Sequence, residues 1–252
     1  MDERSLTFHI GPIWFDGTVC IMVLLTCLIV FFLAYFFTRN LKLKPTGKQN
    51  AIEWVIDFSR GIVTDNLPRK ELSNFHLLAF TLFLFVFVAN NIGLVTKIVL
   101  PNETTLWKSP TADPFVTLTL AFIMILLTHL FGVKKLGFKG YFVNSFLKPY
   151  SFMFPMKLIE EFTNLLTLAL RLYGNIYAGE VLLTLIAKMM TSLGWFSLPL
   201  AIPLEMVWIA FSLFIGSIQA FVFVTLSMVY MSHKIEVEEY YSVKKQTTIY
   251  LF

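Results

Sequence analysis

Arg171 stands in the apolar run Leu168-Ala169-Leu170-Arg171-Leu172-Tyr173-Gly174-Asn175-Ile176-Tyr177-Ala178-Gly179-Glu180. A guanidinium keeps its proton at any accessible pH. At the centre of a membrane helix such a fixed cation costs roughly 2.5–3.5 kcal/mol on insertion scales. An anion or an ion pathway is the usual reason a membrane protein carries one. The chemistry within reach is the handling of charge inside a membrane. Arg171 is a permanent cation, the nearby carboxylates can take up or release a proton, and the amides and hydroxyls can line a path.

On a helical wheel of about 100° per residue, Glu160, Asn164 and Asn175 fall within about 40° of Arg171, whereas Glu180 falls about 180° away. The first four share a stripe, and Glu180 lies opposite. A second stripe holds Ser212, Gly216, Gln219 and Tyr230, all within about 40° of Glu205. A carboxylate followed by hydroxyl and amide groups at this spacing is a polar seam in an apolar helix. Such seams line water, ions or a partner helix. Plainer readings stand beside these. Asn164, Asn175 and the second seam can be hydrogen-bonding glue between helices. Glu160 and Glu161 can be a solvated helix end, Lys188 can snorkel to an interface, and Arg171 can belong to a resident ion pair. His129 and His233, near helix ends, read as interface residues.

The elements that must position these residues are membrane helices. Of 252 residues, 57% are hydrophobic, 27 are Phe and only 14% are charged, against about 25% charged in a soluble domain. The net charge of +4 points to no nucleic acid, because the basic residues lie in short loops between apolar runs. Cys20 and Cys27 fall within the first run and read as small hydrophobes. No basic n-region or A-x-A site marks a cleaved leader.

Apolar runs predict an all-α integral membrane protein, one membrane domain over 1–252, with about five membrane-embedded helices. Spans are expected at 18–38, 76–96 and 115–133. Two long helices at 150–191 and 196–233 are too long to stand upright in a bilayer. They read as a tilted antiparallel hairpin, joined through Ser192-Leu193-Gly194-Trp195. Residues 49–67 place Ile52, Val55, Ile56, Ile62 and Val63 at helical spacing between Glu53, Asp57 and Arg60. That pattern predicts an amphipathic helix in the membrane plane. Arg39, Lys42, Lys44 and Lys48 follow the first span, and Lys134, Lys135 and Lys139 follow the third. This bias predicts the N-terminus outside and the C-terminus in the cytoplasm. The tail after His233 is mixed in charge. No phosphate-binding loop, Cys/His metal cluster or nucleophile motif is present. No cofactor, no metal, no nucleotide binding and no catalysis by the chain alone are expected.

The Leu170–Glu180 run resembles the signature helix of subunit a of F-type ATP synthases. Ile218-Gln219-Ala220-Phe221-Val222-Phe223-Val224-Thr225-Leu226 resembles the matching run of that family's last helix. The Asn90-Asn91-Ile92-Gly93-Leu94 segment and the span order agree, and the ending Val229-Tyr230-Met231-Ser232-His233-Lys234 is similar to the Gram-positive bacterial branch. The resemblance implies a stator subunit in a bacterial plasma membrane, beside a rotating ring of c subunits and with the subunit b peripheral stalk among its partners. Two aqueous half-channels would serve the ring carboxylate. Arg171 would stand between them, with Asn175 and Gln219 nearby. Glu180 and Glu205 would serve the outer half-channel, and Glu160, Glu161, Asn164 and Tyr230 the inner one. Many members carry a second titratable residue where this chain has Ser212. The alternative from another class is an ion-coupled secondary transporter, but no internal repeat of the kind such folds show is visible.

Overall fold

A computed structural model of the chain describes residues 7–10, 13–39, 42, 47–69, 72–95, 108–147, 151–192 and 198–235. Helix α1, Gly17–Thr38, begins where the Asp16 carboxylate accepts the Thr18 and Val19 amides at 3.0 and 3.3 Å. That satisfies donors a helix start otherwise leaves open. Beyond its buried first turns α1 turns Phe31, Phe32, Tyr35 and Phe36 outward, as a helix facing lipid can. Ahead of it, Thr7–Ile10 and Ile13–Asp16 pair as an antiparallel hairpin. Aromatic and β-branched residues flanking the turn-forming pair Gly11-Pro12 are its signal. A reading tuned to membrane spans passes over it.

Helix α2, Lys48–Asn66, is amphipathic. Ile52, Ile62 and Val63 are buried, while Trp54, Asp57 and Arg60 face out. Phe58 fixes its place, packing 5.3 Å from Phe83 and 5.6 Å from Phe221 between ring centroids. Helices α3, Leu72–Val95, α4, Pro114–Phe142, α5, Phe154–Ser192, and α6, Leu198–Ile235, form the bundle. Where they cross, the core uses small side chains such as Ala79, Ala121, Ala169 and Ala220, each fully buried. In lipid, close backbone approach supplies much of the packing energy. Partners on α5 and α6 run in opposite senses: Glu161 meets Lys234, Asn175 meets Gln219, and Gly179 meets Trp208. The two are therefore antiparallel.

Among the described residues, four helical segments are long and apolar enough to cross a membrane: Gly17–Thr38, Leu72–Gly93, Pro114–Leu147 and Ile202–Ile235. Helix α5 is the long exception, because it carries Lys157, Glu160, Glu161, Arg171, Glu180 and Lys188. At 39 residues it is about 58 Å long, nearly twice the roughly 30 Å hydrocarbon layer. It must tilt.

Helix α4 differs from the expected single span. It bends at Gly137, whose φ of 71° suits a residue without Cβ. The chain then folds back and continues as a π-helical turn over Val143–Leu147. The Tyr141 ring comes so close to Gly132 that a Cβ there would lie 2.6 Å from its Cε2. Gly132→Val is expected to lower the thermal stability of the detergent-solubilised protein by about 1–3 kcal/mol through overpacking. An unchanged melting profile would argue against this contact. The 193–197 connection, most of the loop before residue 108, Lys44 and the tail after Ile235 lie outside the described residues.

Candidate functional site

Helix α5 divides its polar residues between two faces. Arg171, Gly174, Asn175 and Ala178 are exposed. Leu168, Ala169, Leu172, Ile176 and Glu180 are buried, and Glu180 is only 6% exposed. No described residue gives Arg171 a hydrogen bond or an ion pair. Gly174 leaves open space beside it, since a Cβ there would meet nothing within 4 Å. The guanidinium thus looks outward across an arc of small side chains. Tyr230 of α6 lies within electrostatic reach of both Arg171 and Glu161.

Behind that arc the bundle holds a polar seam. The Asn175 amide donates from Nδ2 to Gln219 Oε1 at 2.8 Å, tying α5 to α6. The Asn90 Nδ2 donates to the Gly216 carbonyl at 2.9 Å, tying α3 to α6. A Cβ on Gly216 would lie 3.4 Å from Asn91 Oδ1 and 3.5 Å from Asn90 Cβ, ordinary contact distances, so α3 and α6 pack closely here. Gln219 Nε2, Ser212 Oγ, Asn90 Oδ1 and Asn91 Oδ1 are all buried without a hydrogen-bond partner among the described residues. Each such atom costs roughly 1–3 kcal/mol if nothing reaches it. Several on one α3–α6 crossing are explained if water does. Glu180 closes the seam at one end, where its Oε1 accepts the Ser109 amide at 3.1 Å. Beside it Trp208 Nε1 donates to the Gly179 carbonyl at 3.2 Å. Glu205 is half-exposed and has no described partner.

At the other end α4, α5 and α6 meet in a charged cluster. Glu161 pairs with Lys234 through Oε1 and lies 3.7 Å from His129 Nε2 through Oε2. His129 Nδ1 is hydrogen-bonded to the folded-back Tyr141 hydroxyl. Glu160 points away, exposed and paired with Lys157 at 3.0 Å. Asn164 is half-buried between them and Arg171. The polar groups thus fall into two sets, one at the Glu180 end and one at the Glu161 end, with Arg171 between them along α5.

A profile of the ATP synthase A chain family matches residues 20–232. The chain belongs to this family. It is 95% identical over 239 residues to ATP synthase subunit a of Enterococcus hirae, covering 95% of this chain and 100% of that one. To subunit a of Enterococcus faecalis it is 70% identical over the same shares of both chains. To that of Listeria monocytogenes it is 52% identical over 238 residues, 94% of this chain and 100% of the relative. As a subunit a of the membrane sector, the chain is a multi-pass, proton-translocating stator subunit and not a catalytic one.

Several members of this subunit a site are invisible on a single helical wheel. Asn90, Ser109, His129 and Lys234 acquire their meaning from other elements. His129, read as an interface residue, is joined to α5 and to the turn after Gly137. Its only local signal was a titratable ring near the end of an apolar run.

Proposed function

We propose that Arg171 is the fixed charge separating two half-channels, and that its partner is a carboxylate on a rotating ring of c subunits. The observation that carries this reading is its position: a mid-helix guanidinium on an exposed face, with no ion pair to a carboxylate among the described residues. A nearby cation favours the ionised form of an arriving carboxylate. The ring site therefore gives up its proton on one side before passing Arg171 and regains one on the other. Because Arg171 cannot itself release a proton, it relays none between the half-channels.

The seam of Asn175, Ser212, Gln219 and Glu180 serves the half-channel open to the outside, with Glu205 at its mouth. Glu161, Asn164 and Tyr230, with Glu160 at the rim, serve the cytoplasmic one. Supporting that orientation, Lys234 pairs with Glu161, and Lys134, Lys135 and Lys139 follow His129 on α4, a basic bias of the kind cytoplasmic loops carry. The whole chain acts as one membrane unit in the bacterial plasma membrane, N-terminus outside, with the subunit b stalk as its other neighbour.

Glu180→Gln tests the half-channel. An amide of nearly the same shape cannot release a proton, so gradient-driven ATP synthesis in proteoliposomes should fall by about tenfold or more. The complex should still assemble, and passive proton leak should not rise. Undiminished synthesis would move the outer path away from Glu180.

A further inference from the structure

The segment Ser109–Ala112 is the least ordinary loop in the bundle. Loops run over protein surfaces because buried backbone needs partners. Yet Ser109 and Thr111 are fully buried, and Ala112 is 1% exposed. The segment is a single 3-10 turn, closed by the Ala112 amide donating to the Ser109 carbonyl at 3.0 Å. The Ser109 hydroxyl donates to the Ala89 carbonyl of α3 at 2.6 Å and lies 3.1 Å from the Thr111 hydroxyl. That leaves the Ser109 amide, which points at Glu180 Oε1 across 3.1 Å.

The seat for this turn is a notch in α3. A Cβ on Gly93 would lie 2.3 Å from Ser109 N and 2.6 Å from its Cα. Those are backbone atoms, which cannot step aside as the end of a side chain can. Gly93 therefore sets how deeply the turn enters the bundle, and the turn sets where a backbone N–H meets the carboxylate. We infer that the Ser109 amide, seated by Gly93, is a positioning group for Glu180, holding the carboxylate at the crossing of α3, α5 and the buried turn. An N–H aimed at a carboxylate stabilises its ionised form. Gly93 and Ser109 thereby tune when Glu180 releases its proton, without touching the proton themselves. This inference rests on the reading of Glu180 as a proton-transfer group.

The backbone at Ser109 offers a clean test. Its φ is −62° and its ψ is 128°, values that proline adopts and that suit a residue preceding Pro110. Ser109→Pro deletes the donor at a φ that proline itself adopts. Ser109→Ala deletes the hydroxyl and keeps the donor. The readout is ATP synthesis by the intact complex in proteoliposomes, driven by a fixed imposed gradient while pH on the outer-channel side is varied.

Ser109→Pro should move the acid limb of the rate profile to higher pH by about one unit, the equivalent of one charge-assisted hydrogen bond. Ser109→Ala should leave the limb in place. Glu180→Asp withdraws the carboxylate from the amide with no change to the turn, and so covers a Ser109→Pro complex that does not assemble. Its limb should also move up, although an aspartic acid is by itself the stronger acid by about 0.4 units. In a Glu180→Gln background, Ser109→Pro should have no further effect on rate, since coupled residues are not additive.

The inference is overturned if Ser109→Pro or Glu180→Asp keeps the limb of the unsubstituted protein. A full additional loss of rate in the double variant overturns it equally. If Glu180→Gln itself leaves synthesis intact, the role of Glu180 fails first, and the positioning claim fails with it for that separate reason.

Discussion

Arg171→Ala is expected to abolish gradient-driven ATP synthesis, to below about 1% of the normal rate, while the complex still assembles. Removing the guanidinium takes away the charge that ionises the arriving ring carboxylate. At an effective dielectric of about 20, two unit charges about 4 Å apart attract by roughly 4 kcal/mol, which spans about three orders of magnitude in a protonation equilibrium. Assembly should survive, because Arg171 is exposed and has no hydrogen bond or ion pair with a described residue. Measured proton leak should rise, since nothing then separates the two sets of polar groups. Arg171→Lys should also lose most of the rate. A lysine in a dehydrated site can drop its proton, whereas the guanidinium cannot. Coupled synthesis near normal in membrane vesicles of the Ala variant would remove Arg171 from the mechanism.

The second large effect belongs to the Glu161 cluster, and it is one of stability. Lys234 and Glu161 side chains are only 13% and 20% exposed. Deleting one partner of a fully buried pair costs roughly 3–5 kcal/mol, because the other charge is stranded. Residual exposure lowers that to about 1–3 kcal/mol here. Glu161→Ala should therefore lower the melting temperature of the solubilised protein clearly. Adding Lys234→Met should restore part of the loss, since two neutral groups strand no charge. A single variant as stable as the unsubstituted protein, or a double variant worse than the single one, would show that the pair does not hold α5 to α6.

How far the site is legible from residues alone depends on how many elements share a contact. Arg171 and Glu180 sit on one helix, so the 3.6-residue period suffices to put them on opposite faces. The burial of one and exposure of the other follows from which face the bundle covers. Gln219 and Ser212 are likewise legible as one polar stripe on α6. What the period cannot reach is pairing across elements. The Asn90–Gly216 bond links residues 126 positions apart, and the Ser109–Glu180 bond links residues 71 apart. The Gly137 reversal is a third case. The apolar run reads as a span ending at residue 133 before Lys134 and Lys135, and it takes the Tyr141 contacts with Gly132 and His129 to reveal a fold-back. Glycines 93 and 132 carry much of the architecture, yet glycine has no side chain for a pattern to register.

The Glu161 cluster also has a history written in chain order. His129 and Glu161 emerge from the ribosome well before Lys234, which lies in the last turn of α6. Until α6 is in place, the carboxylate sits among α4 and α5 without its cation. Helix α6 thus closes the cluster only once it has been made and inserted. A chain cut short before Lys234 would be left with a stranded charge, a physical mark by which an unfinished subunit differs from a finished one.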